Sequence, residues 1–476
     1  MSSPRNTRSA PSRRPTERGS ALITVLLLAA IVAFVGAHLL ERAVQESKLA
    51  TRSFYLGVAL NLAEGAIEQG LFALNSGGFT SANGWALASG STTDYVKTLT
   101  SGLTLPQGSA GVYIRVDSAY GSSPVVYGVG VVNLPNQPRI TKQLRVGASR
   151  RRPWSNGMVA KNHVTFSIAS TVDSYDSTVG AYNAVTNRTD RATIATNSAL
   201  PAEITLTGAS SIYGYVATGG SDPVVALGRI YGATSPGVPA APAPYVDPAR
   251  VRKDFNTNLP DIAAPTGSAY SLGAYSATLT TKTLPRAGDT PGPNGRYLYT
   301  ASSLSVSLGT LNITGPVDLI VTGNTSILLG GKVVVGPSGS TDPSFNLYTP
   351  GDINIALLTD GIVNSTGAAH KATIWGTAPE GSSQTVNLLG AAAMTGTIYL
   401  PNGTVNMAIS ADVYGAIIAK EILVSVLGRF HWDSQLANIE VAGFGYAVRS
   451  WVELTATPGS GAPFARDNRE PFASLF

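Results

Sequence analysis

The chain has no cysteine and little charge. Without a thiol, disulfide frameworks, thiolate metal sites and cysteine nucleophiles are excluded, although an oxidising compartment is not. Asp, Glu, Lys and Arg make up 13% of the 476 residues, about half the usual share. There are four histidines, His38, His163, His370 and His431, and no two stand at a metal-ligand spacing. No phosphate-binding glycine motif and no nucleic-acid-binding module is present. The formal charge of +5 does not supply one, because it is local. Residues 1–19 carry Arg5, Arg8, Arg13, Arg14 and Arg18 against Glu17. Removing them from 33 basic and 28 acidic side chains leaves 28 and 27. The basic charge is therefore a targeting feature, and no nucleic-acid partner is expected.

What is present is apolar and rich in turns. Hydrophobic residues make up 43%, enough for a sizeable core, and 51 glycines and 29 prolines mark many turns. The length corresponds to roughly three domains. Behind the leader, Ala21 to Leu40 holds no charged side chain if His38 is neutral. At about 1.5 Å per residue a helix of that length spans roughly 30 Å, the hydrocarbon thickness of a bilayer. The arginines before it favour a cytoplasmic N-terminus. An ordinary signal anchor has the same outline. A cleavable signal fits less well, because the run is long and no small-residue cleavage site follows it.

Arg18-Gly19-Ser20-Ala-Leu-Ile, followed by the apolar run, resembles the processing site of type IV prepilins. The resemblance implies cutting between Gly19 and Ser20 by a prepilin peptidase, with the apolar helix retained on the mature protein. Major pilins carry glutamate at the fifth mature position, where this chain has Thr24. That departure resembles minor pilins, the tip subunit among them, and the large size resembles the tip-located minor pseudopilin of secretion systems. Leu49, Leu56, Leu60, Ala63, Ile67, Leu71 and Leu74 continue at helical spacing, with a stop expected at Gly77-Gly78. Within this stretch, Phe54-Tyr55 and Asn61 to Glu68 resemble the corresponding segment of PilX-type minor pilins. A single transmembrane and amphipathic helix over 20–75 is expected.

Past a polar stretch, Val112–Val116, Val125–Val132 and Ile140–Val146 read as three strands of a small antiparallel pilin-like sheet domain, 79–150, ended by Arg150-Arg-Arg-Pro153. From Trp154 the texture changes to short β segments separated by Gly, Asn, Ser, Thr and Asp. Between 301 and 420 only nine side chains are charged. Charge-poor strands with polar corners read as a right-handed parallel β-helix, or solenoid, over 154–450, because charges stacked in register would repel. A β-sandwich is the alternative. Ser211-Ile-Tyr-Gly-Tyr-Val-Ala217 recurs as Asp412-Val-Tyr-Gly-Ala-Ile-Ile-Ala419. The second copy leads to Phe430-His431-Trp432-Asp433, which resembles the last rungs of bacterial polymer-forming β-solenoids and implies a solenoid-closing motif. Val172 to Ser177 resembles the start of the same region. Seven prolines in 236–265 mark an excursion, and 457–476 reads as a flexible tail.

Chemistry is sparse. His431 and Asp433 stand two apart, so a strand puts them on one face as a general-base pair or, the better fit, as an end cap. Asp173 and Asp176 lie close enough for calcium but without a calcium motif. Neither a catalytic set nor a cofactor or metal is expected. The reading is a mostly β minor pilin-like structural subunit of a type IV pilus or secretion pseudopilus, anchored in the bacterial inner membrane with its C-terminal part outside the cytoplasm. Its expected partners are prepilin peptidase, other pilins or pseudopilins, membrane lipid and a surface glycan. The alternative is a membrane-anchored periplasmic β-helix enzyme or carbohydrate-binding protein.

Overall fold

The structure, a computed structural model, describes residues 18–76, 78–100, 103, 105–135, 137–237, 242–356, 361–441 and 443–454, with backbone alone for 18–20. The leader up to residue 17 and the expected tail at 457–476 lie outside the described residues. The chain divides into two compact units, Met1–Ser149 with Tyr446–Phe476, and Arg150–Gly445.

The first unit is a helix on an antiparallel sheet. Helix α1, Arg18–Ser76, has 59 residues and is about 90 Å long. It ends where the Gly78 N–H closes back on the Ala73 carbonyl at 3.1 Å. The sheet contains β1 (Ala86–Leu87), β2 (Tyr95–Leu99), β3 (Ser109–Asp117), β4 (Val125–Asn133) and β5 (Ile140–Arg150), in that order. The three expected strands are β3, β4 and β5. A sixth strand, Tyr446–Glu453, lies beside β5. Lys142 meets Glu453 at 2.5 Å, Gly147 meets Ser450 at 3.2 Å and Ser149 meets Arg449 at 2.6 Å, an order that runs antiparallel. The expected second domain, drawn to 450, therefore ends at Gly445, and the chain returns to complete the first sheet.

The half of α1 that packs follows the lower part of the expected stripe, with Ala63, Ile67 and Leu74 buried and Leu60 and Leu71 partly buried against the sheet core. Leu49 is 67% exposed and Leu56 is 37% exposed, whereas Tyr55, Ala59, Ala63, Ala66, Ile67, Ala73 and Leu74 are buried. The sheet decides this. A Cβ on Gly128 would lie 2.5 Å from the Ala63 oxygen, and one on Gly130 would strike the Ala59 oxygen. Two glycines on one face of β4 let the helix backbone settle onto the strand. At that distance alanine fits and leucine does not.

In the second unit the strands pair in parallel and in three ladders. One ladder joins Tyr270–Ser271, Tyr297–Ala301, Pro316–Val321, Ser344–Thr349 and Ala372–Gly376. The next joins Ala274–Thr278, Ser303–Ser307, Thr325–Leu328, Ile353–Ala356 and Thr385–Leu389. The third joins Thr281–Leu284, Thr310–Ile313, Lys332–Val335 and Ile362–Asn364. Each strand thus pairs with the third one on in sequence, as a chain winding three strands to a turn requires. Sequence neighbours pair antiparallel only at Thr171–Tyr175 with Arg188–Thr189 among the described residues of this unit, so the sandwich pattern is not seen. Inward columns of Val, Ile and Leu form one continuous core, with Val306, Leu319, Val333 and Ile398 fully buried. Polar side chains bond along the ladders. Asn387 donates to Asn354 and Asn406 donates to Asn387, both at 2.8 Å.

Stack order departs from sequence order. Winding begins in the middle, at Met158–Ala160, and runs to Val251–Arg252. The chain then passes back along the stack. The Phe255 N–H bonds Thr218, Thr257 bonds Asn197, and the Pro260 carbonyl accepts from Tyr399. It restarts at Tyr270 and winds until Asp412–Ser425 lies on Met158–Ala160 and Val164–Phe166. The proline-rich stretch is therefore partly ladder, at Tyr245–Val246 and Val251–Arg252, and then a return strap. The recurring segments occupy equivalent places: Ser211–Ala217 and Asp412–Ser425 each turn the same corner, at Gly214 and Gly415.

Candidate functional site

Gly19 and Ser20 lie in the first turn of α1, and Thr24 follows one turn later. From Ala21 to Leu40 every residue is exposed except the half-buried Gly36, with Leu22 at 64% and Phe34 at 76%. A bare aliphatic cylinder of this length is stable only when another apolar phase covers it. By length and composition α1 is able to cross a membrane.

Phe430-His431-Trp432-Asp433 sits where the two windings meet. Its strand, Arg429–Asp433, pairs with Asp412–Gly415 on one side and with Thr171–Tyr175 on the other. Phe430 is fully buried between Val413 and Val172. The Trp432 indole N–H donates to the Trp154 carbonyl at 3.2 Å, fixing the point where the chain enters this unit. Asp433 accepts the Ser177 and Gln435 amides, both at 3.2 Å, and so caps the short helix Ser434–Asn438. Burial holds the Asp433 carboxyl above the usual range, and the Ser177 and Gln435 hydrogen bonds only partly offset it.

The His431–Asp433 general-base pair, the lesser of the two readings, does not form. His431 Nδ1 meets Asp173 Oδ1 at 2.5 Å, and Asp173 Oδ2 accepts from the Tyr182 hydroxyl at 2.8 Å and from Arg188 Nε at 2.9 Å. The imidazole also lies against the rings of Tyr182, at 3.8 Å, and Tyr414, at 4.8 Å. His431 and Asp173 are buried, so the cluster acts as a cross-stack clamp. Burial, with the Asp173 carboxylate adding to it, pushes the Tyr182 phenol upward and keeps it neutral. Asp173 is fully engaged by these donors and does not join Asp176 around a cation. Asp176 instead accepts from Thr178 and Gln435. No group of three or more His, Asp or Glu side chains able to hold a metal occurs among the described residues. His431 and Asp173 are 258 residues apart, so no spacing rule reaches Tyr182 or Arg188.

Two open clefts flank these elements. One of about 480 Å³ is lined by Tyr175, Ser177, Tyr182, Asn364, Thr395 and Tyr414. The other, about 500 Å³, is lined by Asn156, Thr193, Tyr215, Arg252, Phe255 and Asn256. Hydroxyl, amide and aromatic side chains line the first cleft, and the ionisable Arg252 and Asp254 also line the second. Sequence reading also missed Arg250, buried beside Asp190 at 2.7 Å and Asp247 at 3.7 Å and stacked on Tyr215 at 4.6 Å. Asp247-Pro248 capping the turn Pro248–Arg250 was the available signal.

Residues 269–439 match a family described as a domain of unknown function, DUF7305. No curated protein matches the chain. A solved structure, the competence-associated pilin ComZ from Thermus thermophilus, aligns over 83% of this chain and 96% of its own at 11% identity. Its TM-score is 0.25, and a superposition that loose transfers neither arrangement nor function.

Proposed function

We propose that this chain is a minor pilin-like structural subunit. It is held by α1 in the bacterial inner membrane and then assembled with other pilins or pseudopilins into a type IV filament or secretion pseudopilus. One observation carries the reading. Arg18-Gly19-Ser20 opens a helix whose first part is bare and aliphatic and whose second part packs on a small antiparallel sheet. Cleavage by prepilin peptidase leaves Ser20 as the new amine. Thr24, in place of the family's glutamate, fits a minor rather than a major subunit. The second unit is read as a right-handed parallel β-helix, inserted between β5 and the sixth strand and displayed outside the cytoplasm. Phe430 to Asp433 join its two windings in the middle of the stack, paired on both sides, rather than closing an end as the resemblance implied. The role is architectural rather than catalytic, since the His431 and Asp173 side chains clamp strands instead of opening to solvent. The two tyrosine-lined clefts favour glycan contact as an added property of the displayed unit.

The test is the mature N-terminus, read by mass spectrometry of membranes from cells with and without prepilin peptidase. A peptidase-dependent start at Ser20, lost in Gly19→Val, is expected. An intact leader in both strains, or a cut after Leu40, overturns the pilin reading; the first leaves an anchored and the second a released β-helix enzyme or carbohydrate-binding protein.

A further inference from the structure

The rung from Tyr270 to Leu284 is an end of the parallel stack. Its strands Tyr270–Ser271, Ala274–Thr278 and Thr281–Leu284 each pair on one side, with Tyr297–Ala301, Ser303–Ser307 and Thr310–Ile313. Among the described residues no strand pairs with them on the other side. Such an edge presents a row of unpaired backbone N–H and C=O groups to any further strand. The chain itself adds one rung to another end-on. Where its two windings meet, Asp412–Ser425 lies on Met158–Ala160 and Val164–Phe166. The inward side chains at that junction, Ile417 and Ile422 on one rung and Met158 and Val164 on the next, are apolar and fully buried.

The end rung departs from this pattern at one position. Register places Lys282 on Leu311, Leu311 on Val333 and Val333 on Ile362. Leu311 and Val333 are fully buried and Ile362 is 2% exposed, so this column points into the core. Lys282 therefore stands at an inward position, while its neighbours Thr281 and Thr283 are exposed. Its Nζ lies 4.6 Å from the centre of the Tyr275 ring, on the same rung. Tyr275 is only 8% exposed, although its strand has no partner on the outer side. A cation on a long aliphatic stem covers an aromatic face and keeps its charge at water. Lys282 forms no ion pair among the described residues.

We infer that Lys282 closes this end of the stack against a second copy of the chain. A rung laid on Tyr270 to Leu284 would lie about 4.8 Å from it. It would trap the Lys282 ammonium between two apolar layers, cut off from water and without a carboxylate. An inward-pointing charge thus cancels the attraction of an open edge. Position matters here, not charge alone. Lys332 belongs to the same ladder, but register puts it on Thr310 and Thr281, in the outward column, where a further rung would leave it in solvent. Addition between unlike ends of a stack does not close on itself, so an unguarded end is a start for an open fibre.

The test is Lys282→Met in the full chain in detergent, which keeps the stem and removes the charge. Sedimentation velocity reads its association against the wild type, and hydrogen–deuterium exchange locates the surface. Lys282→Met should associate at least tenfold more tightly. The amides of 274–284 should then exchange at least tenfold more slowly in the associated form. Lys282→Arg and Lys332→Met should both match the wild type. Lys282→Gln takes the place of Lys282→Met if that variant fails to accumulate. The inference is overturned if the uncharged variant matches the wild type, if Lys332→Met associates as strongly, or if association leaves the amides of 274–284 unprotected. Each of these results is independent of processing at Ser20.

Discussion

Replacing Gly130 by alanine is expected to lift α1 from its sheet. The new Cβ would overlap the Ala59 carbonyl oxygen and lie 2.7 Å from the Ala63 nitrogen and 2.9 Å from Leu62 Cβ. Two of these atoms are helix backbone and cannot rotate away, so the helix itself must move. Overpacking of this kind costs about 1–3 kcal/mol. The reduced freedom of the unfolded chain returns about 0.4–1 kcal/mol. A net loss of about 1–2 kcal/mol lowers the local folded-to-open ratio about 5–30-fold. Hydrogen–deuterium exchange of the full chain in detergent reads this region by region. Amides of residues 55–74 and of β4 should exchange faster by that factor, while those of Thr385–Leu389 in the other unit stay unchanged. Gly57→Ala is the control. Nothing lies within 4 Å of its Cβ, so helix propensity alone acts and stabilises by up to about 1 kcal/mol. Unchanged exchange in α1 for Gly130→Ala, or equal acceleration in both units, would refute the close-packing argument.

Leu308→Asn should stabilise the second unit by up to about 1 kcal/mol, read as a higher denaturant midpoint, because Leu308 sits at φ 53° and asparagine tolerates positive φ. A lower midpoint would count against strain at the corner. Asn387→Leu removes two ladder hydrogen bonds and should lose about 1–2 kcal/mol, read as faster exchange in Ile353–Ala356 and in residues 404–408. Asp433 carries a pH signature. Its folded pKa is raised by burial, so its contribution is fully present below the ordinary carboxyl value and is lost as pH rises through the folded one. The melting temperature of the wild type should therefore fall over that window relative to Asp433→Asn, and parallel profiles would exclude it.

Much of the first unit was legible because its signals are local. An uncharged run long enough for a bilayer can only be a helix there, since every backbone group must be satisfied within the segment. Alternation marked β3 to β5, and the charge-poor segments after Trp154 marked strands. What local signals could not supply was which residues meet. The helical spacing of α1 placed Ala63, Ile67 and Leu74 on the packed face, but not the depth of contact, which Gly128 and Gly130 on a distant strand set. His431 was read with Asp433, its neighbour in sequence, and pairs instead with Asp173, its neighbour in register.

The sequence by itself determined an apolar helix, a processing-type junction and a run of short buried strands, each written in a few consecutive residues. The tertiary structure alone decided that winding starts in the middle of the stack, that a strap carries the chain back along it, and that 446–453 completes the first sheet. Parallel pairing joins residues one or many turns apart with equal ease, because backbone hydrogen bonds carry no record of sequence distance. Only the assembled stack shows which strand is next to which.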